Sequence, residues 1–433
     1  MSRFPRLSAT AGGCLFLTLG LGVCWPVFSL EPLPSPLTLQ YALALAEDLH
    51  PERVLADAAL AQAQAHRQQV AAREDVRVDL TAELRAIEPS EIAVDQTRND
   101  SLARLSFSKQ LYDFGRTTHA EEAAEAGLES RQWHLLEVRQ QRRLDVMARF
   151  FDVLLADLEF ARDNEALSVA FIRFDRASAR NELGKVSDIE MLELESRYQQ
   201  SRRRMNASRN RQRITRSQLA ISLSRPLDLP SDLAMPVFET LREIEDIEVL
   251  LERALRDNPR LGVLRAELLA AQRQLQASEA EDNPVLRAEL EAAAYRRELG
   301  GRNPLAAALV LELPLYTGNR VAAEVAEGRA LIQQKQAELT AYEYALRQQL
   351  LDHWMELDRL RLQRDELQVT GDYRDLYLDR SRTLYEMDMA TDLGDSMSQI
   401  ADIQLERARN AFQIQLVHAR VQALTGGGAG VRK

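Results

Sequence analysis

The sequence predicts a mainly α protein with a small β part, built as a duplicated repeat of very long antiparallel helices. Three observations predict it. Glycine and proline together make up about 7% of the 433 residues, against roughly 12% in an average chain. Runs of some 67 residues pass without proline: 116–181 holds only Gly127, and 319–386 only Gly328 and Gly371. Between the helical stretches lie four segments in which apolar and polar residues alternate with a period of two.

Residues 1–29 hold Arg3 and Arg6, an apolar stretch from Ala11 to Val23, Pro26 and a small residue at Ser29, which reads as an export signal. Both cysteines, Cys14 and Cys24, lie in it, so the mature chain is expected to carry no disulfide and no thiolate site. Leu21-Gly22-Val23-Cys24 resembles a lipoprotein cleavage box and leaves a lipidated Cys24 open as a second mature start.

The first repeat, 30–225, reads as a helix at about 52–72, strands at about 76–87 and 102–112, a long helix 116–182, and a helix 186–223. A proline-dotted segment, 226–247, separates it from the second repeat, 248–426. That repeat has a helix at about 259–281, strands at about 285–295 and 305–315, a long helix 319–386, and a helix 389–424. Residues 427–433 form a tail. The duplication is visible in the residues: Leu111-Tyr112-Asp113-Phe114-Gly115-Arg116 aligns with Leu315-Tyr316-Thr317-Gly318-Asn319-Arg320 at a shift of 204. The same shift places Glu182–Asp188 on Glu386–Asp392. His50-Pro51 aligns with Asn258-Pro259 at a shift of 208. At ~1.5 Å per residue the long helices reach roughly 100 Å, and the shorter ones can cover them only if stacked end to end.

In the first strand Val76, Val78, Leu80, Ala82 and Leu84 alternate with charged or polar residues, and the other three segments do the same, with Lys109 interrupting the apolar face of the second. One apolar and one polar face fits a lipid-facing barrel strand with a wet lumen; a half-buried sheet of a soluble protein has the same alternation. An exported chain whose helices offer no compact body to cover a sheet favours the barrel. Open sheet edges are not tolerated in hydrocarbon, and about eight strands is the smallest barrel. Four strands therefore require other copies, two giving eight and three giving twelve.

Taken in order, the duplicated halves, the Tyr112-Asp113-Phe114-Gly115-Arg116 and Tyr316-Thr317-Gly318-Asn319-Arg320 signatures opening long helices, and Gly184-Lys185-Val186-Ser187-Asp188 at a helix turn resemble the TolC-like outer membrane efflux proteins. The resemblance spans about Leu37 to Gly426. It implies a homotrimer with a 12-stranded outer membrane β-barrel, set in outer membrane lipid and continuing into a periplasmic α-barrel. It further implies a periplasmic adaptor protein and an inner-membrane pump of RND, ABC or MFS type as partners. The function it implies is passive export of cargo in a tripartite efflux or type I secretion system, with 226–247 as an equatorial strap.

The site residues follow from that resemblance. Gly184, Lys185, Val186 and Ser187, with Met389, Ala390 and Thr391, are the expected adaptor-contact tips. Asp388, Asp392 and Asp395 are pore-gate candidates, spaced i, i+4, i+7 so that a threefold axis would make acidic rings; acids at a helix start also serve as ordinary caps. Cofactors are expected to be none, and no enzyme is legible: the six histidines are scattered, without a metal-protease or phosphate-loop pattern. A net charge of −11 argues against nucleic acid. The arginines from Arg202 to Arg216 therefore read as a solvated or intersubunit-paired face. The competing class is a periplasmic coiled-coil adaptor or scaffold without a channel.

Overall fold

The computed structural model describes residues 33–46, 50–238, 245–297, 302–387, 389 and 393–427. The leader and Cys24 lie outside them. In chain order the elements are α1 (Leu39–Leu45), α2 (Pro51–Ala71), β1 (Arg77–Glu83), β2 (Leu102–Tyr112), α3 (Arg116–Glu182) and α4 (Asp188–Ser222). The second half supplies α5 (Ile247–Asp257), α6 (Pro259–Glu279), β3 (Val285–Tyr295), β4 (Leu305–Glu312), α7 (Arg320–Glu386) and α8 (Leu393–Leu424).

α3 and α7 have 67 residues each, roughly 100 Å of helix. Each is covered end to end by two shorter helices: α2 and α4 lie on α3, and α6 and α8 on α7. α3 also meets α6 and α8, which joins the repeats side by side. Because these neighbours lie on different sides at different heights, neither long helix keeps one apolar face along its length.

Both halves start their strand-proximal helix with the same device. Proline at the first helical position loses an N–H that has no partner there anyway. The residue before it accepts a free amide of the first turn: His50 Nδ1 from Glu52 N–H at 3.3 Å, and Asn258 Oδ1 from Leu261 N–H at 3.0 Å. Asn258 is buried and also donates to the Leu424 carbonyl at 3.0 Å, tying the start of α6 to the end of α8.

The core sits at mid-height in two clusters. One joins Leu37, Ala42, Val146, Phe150, Phe151, Leu219 and Phe412; Phe151 and Phe412 stack at 4.5 Å with Phe238 edge-on to both at 6.0 Å. The other joins Leu250, Leu261, Leu346, Leu350, Leu360 and Ile414. The strap closes over the first: Leu37 donates to the Asp232 carbonyl and accepts from Ala234 N–H, both at 2.9 Å. Its described parts are 226–238 and 245–246, and Ile247, expected in the strap, already belongs to α5.

The sheet runs β1-β2-β3-β4, antiparallel throughout. Register aligns Leu80, Leu105, Ala292 and Leu305 in one row on one face. Two strands are shorter than their alternation predicts. β1 stops at Glu83 rather than 87, because Arg85 turns its N–H to Ser101 Oγ at 3.2 Å and its guanidinium to Asp100; only an Ala86–Asn99 bridge continues the pair. β4 stops at Glu312 rather than 315, ahead of Pro314, which has no N–H to donate and restricts Leu313. α4 starts at Asp188 rather than 186, since Ser187 is its cap, accepting from Glu190 N–H at 3.2 Å. Met389 is not the start of α8: its N–H bonds back to the Leu384 carbonyl of α7 at 3.1 Å.

Candidate functional site

The sheet is open. In the single chain Leu80 and Leu309, on opposite edge strands, are each 73% exposed, and Val78, Leu290, Leu305 and Leu311 are exposed on the same face. The opposite face carries Arg77, Asp79, Arg104, Glu289, Glu291 and Arg287. Its charges pair across strands, Arg104 with Glu291 at 3.0 Å and Arg287 with Glu312. Large apolar groups thus stand uncovered on one face while charges neutralise one another on the other. Among the described residues no helix is long and apolar enough to cross a membrane. Lys109 stands on the apolar face three residues from the helix end of β2.

At the far end of the strands the two hairpin loops are stitched by charges that strand periodicity does not reveal. Asp100 is buried and accepts from Arg85 Nε at 2.8 Å and from Arg302 Nη1 at 2.8 Å. Those two guanidinium groups hold its carboxyl at about 2. Arg297, also buried, reaches the carbonyl and carboxylate of Asp95.

At the near end the duplicated motif organises the passage from strand to helix. Asp113 is buried; its carboxylate accepts from Thr117 N–H at 2.7 Å, Gly115 N–H at 3.2 Å and Gln110 Nε2 at 2.9 Å. Gly115 has φ +94° and Gly318 +67°, the left-handed region that glycine enters at no steric cost. Tyr112 packs edge-on against Phe114 at 4.7 Å, whereas Tyr316 is exposed. The two motif arginines converge: Arg116 and Arg320 bind the same carboxylate, Glu281, at 2.9 and 2.7 Å. Burial opposes the charge on Glu281, and the two guanidinium hydrogen bonds overcome it, leaving the carboxyl below its ordinary range. Sequence reasoning missed Glu281, since the turn before β1 carries Arg73 at the corresponding position and the duplication gives no sign of it.

The first tip is a tight reversal. Gly184, at φ +67°, and Lys185 send their N–H groups to the Asn181 and Arg180 carbonyls at 2.8 and 2.9 Å, closing the end of α3. Asn181 Nδ2 spans the turn to the Val186 carbonyl at 2.9 Å and Asp188 Oδ1 at 3.0 Å. Leu183, Ile189 and Leu192 are exposed around it. At the second tip Met387 and Met389 are exposed, while Asp388, Ala390, Thr391 and Asp392 lie outside the described residues. Of the three gate candidates only Asp395 is described. It sits in the first turn of α8 and pairs with Arg173 of α3 at 2.7 Å, so it ties the two repeats together near the tips.

This arrangement of a four-stranded open sheet, two 67-residue helices and two pairs of covering helices is the fold of the TolC-like outer membrane channel proteins. No protein-family model matches the sequence, and no curated protein is similar to it in sequence. Among solved structures the chain is similar to the CmeC outer membrane channel of Campylobacter jejuni, at TM-score 0.75 and 15% identity over 90% of this chain and 86% of that one. It is similar to the outer membrane protein VceC of Vibrio cholerae at TM-score 0.71 and 18% identity, over 90% and 96% of the two chains. The open state of the MtrE outer membrane channel of Neisseria gonorrhoeae aligns at TM-score 0.68 and 16% identity, over 90% and 89%.

Proposed function

We propose that this protein is the outer membrane duct of a tripartite efflux or type I secretion system, a homotrimer that conducts cargo passively and catalyses nothing. One observation carries the reading: an open sheet with one exposed apolar face, whose edges β1 and β4 have no partner strand among the described residues, joined directly to helices about 100 Å long. Hydrocarbon tolerates such a sheet only when its edges are closed, and three copies close it at twelve strands. The helices would then carry the conduit across the periplasm, and their tips would meet a periplasmic adaptor and through it an inner-membrane pump. The exposed Leu183, Ile189 and Leu192 around Gly184 support docking at the first tip. The acidic second tip, Asp388, Asp392 and Asp395, is the proposed constriction, where ring charge would favour cations.

Membrane-fractionated protein purified in detergent is expected to run as a trimer by native mass spectrometry and to give steady conductance in planar bilayers. A water-soluble monomer would overturn the reading in favour of a periplasmic scaffold.

A further inference from the structure

Lys109 is the one charged residue on the apolar face of the sheet among the described residues. The carboxylates of the strands, Asp79, Glu83, Glu289, Glu291 and Glu312, all stand on the other face, where they can meet the arginines of that face across the strands. The ammonium of Lys109 makes no ion pair or hydrogen bond among the described residues. The duplication does not call for a charge here either: at the shift of 204 the second repeat has Leu313 in its place.

The neighbours of Lys109 leave room. Ala288 stands opposite it in the register, and Ala307 stands opposite Leu290 in the next row. These two alanines open a groove of about 620 Å³ between Val76, Phe107, Leu290 and Leu309, and Lys109 borders it. β2 bulges just past Lys109, between Gln110 and Tyr112, and the shift brings Tyr112 opposite Leu286, on the same face as Ala288. Tyr112 is exposed there, an amphipathic ring of the kind that sits at the level of lipid headgroups. At ~3.4 Å per residue and a strand tilt of roughly 45°, the backbone of Lys109 lies about 7 Å inside the level of Tyr112. A lysine at that depth has its stem among acyl chains and its ammonium within reach of the first layer of phosphates. Without an anion it would stand unpaired against hydrocarbon, which is costly.

We propose that Lys109 and the groove beside it form a phospholipid site. The ammonium binds the phosphate of one lipid from the leaflet nearest the helices, and an acyl chain of that lipid lies over Ala288 and Ala307. Both halves of the site select this occupant: a free phosphate has no use for the groove, and a neutral amphiphile has none for the ammonium. The site rests on the channel reading, which turns this face toward lipid, and each copy of the chain carries one.

The trimer, purified from membranes in detergent and titrated with dioleoyl phosphatidylglycerol under native mass spectrometry, is expected to take up three lipids before weaker adducts appear. Lys109→Leu, which supplies the residue of the second repeat, is expected to weaken that uptake by about tenfold, the loss of one charge-assisted hydrogen bond. Ala288→Phe fills the groove and keeps the charge, and is expected to weaken uptake as well. Dioleoylglycerol, with the same chains and no phosphate, is expected not to bind, and inorganic phosphate in excess not to compete. Unchanged uptake by either variant, equal uptake of dioleoylglycerol, or displacement by inorganic phosphate would overturn the lipid site. The channel reading would stand in each case, because the same spectra report the trimer. A soluble monomer would overturn both.

Discussion

Glu281 accepts from an arginine of each repeat, so a single carboxylate holds the sheet end of both long helices. Glu281→Gln keeps the shape but removes the charge from two charge-assisted hydrogen bonds. It is expected to lower stability by about 1–3 kcal/mol, read as a lower midpoint for thermal loss of the detergent-resistant oligomer. The carboxyl titrates below its ordinary range, so its contribution is present above about pH 4.5 and lost as pH falls through the lower folded value. His50 follows the same sign for a different reason. Burial first, and then the charge of Arg142, holds its imidazole below 6.5, and its Nδ1 must stay unprotonated to accept from Glu52. The cap is therefore complete above pH 6.5 and lost on acidification. His50→Asn is expected to keep the cap and to flatten the difference in thermal midpoint between pH 7 and pH 5.

At the scale of elements, the long helices depend on close approach where shorter helices lie on them. Gly262 of α6 meets Trp133 of α3 so tightly that a methyl group there would stand 2.5 Å from the indole ring. Gly262→Ala is expected to cost about 1–3 kcal/mol through overpacking, despite the better helix propensity of alanine, and to shift the emission of Trp133. A second truncation, Trp133→Leu, should recover much of that loss. Near the tips, α8 is held to α3 by Asp395 and Arg173. Replacing both Asp392 and Asp395 by alanine is expected to raise basal conductance and weaken divalent-cation block in planar bilayers; unchanged conductance would remove these acids from the constriction.

For the whole molecule the decisive feature is the two-faced sheet. Its apolar face carries Leu80 and Leu309 and its charged face Glu289 and Ala308. Leu309→Arg would put a charge against lipid and is expected to cost about 2–4 kcal/mol near the bilayer midplane, seen as loss of protein from the outer membrane fraction. Ala308→Arg, one residue along on the charged face, is expected to insert normally and alter single-channel conductance.

The sequence by itself determined the long helices, the duplication and the two-faced strands, because breaker-free runs, a shift of 204 and period-two alternation are local or repetitive signals. It also placed His50-Pro51 and Asn258-Pro259 at helix starts, since capping depends on neighbouring residues alone. The tertiary structure decided what depends on residues distant in the chain. Asp100, bound by nearby Arg85, also reaches Arg302 across 202 positions, Glu281 collects two arginines from different repeats, and Arg173 reaches Asp395 across 222. Charged side chains on a helix or loop look alike in sequence whether solvated or paired. Only the packing of one element on another selects the partner.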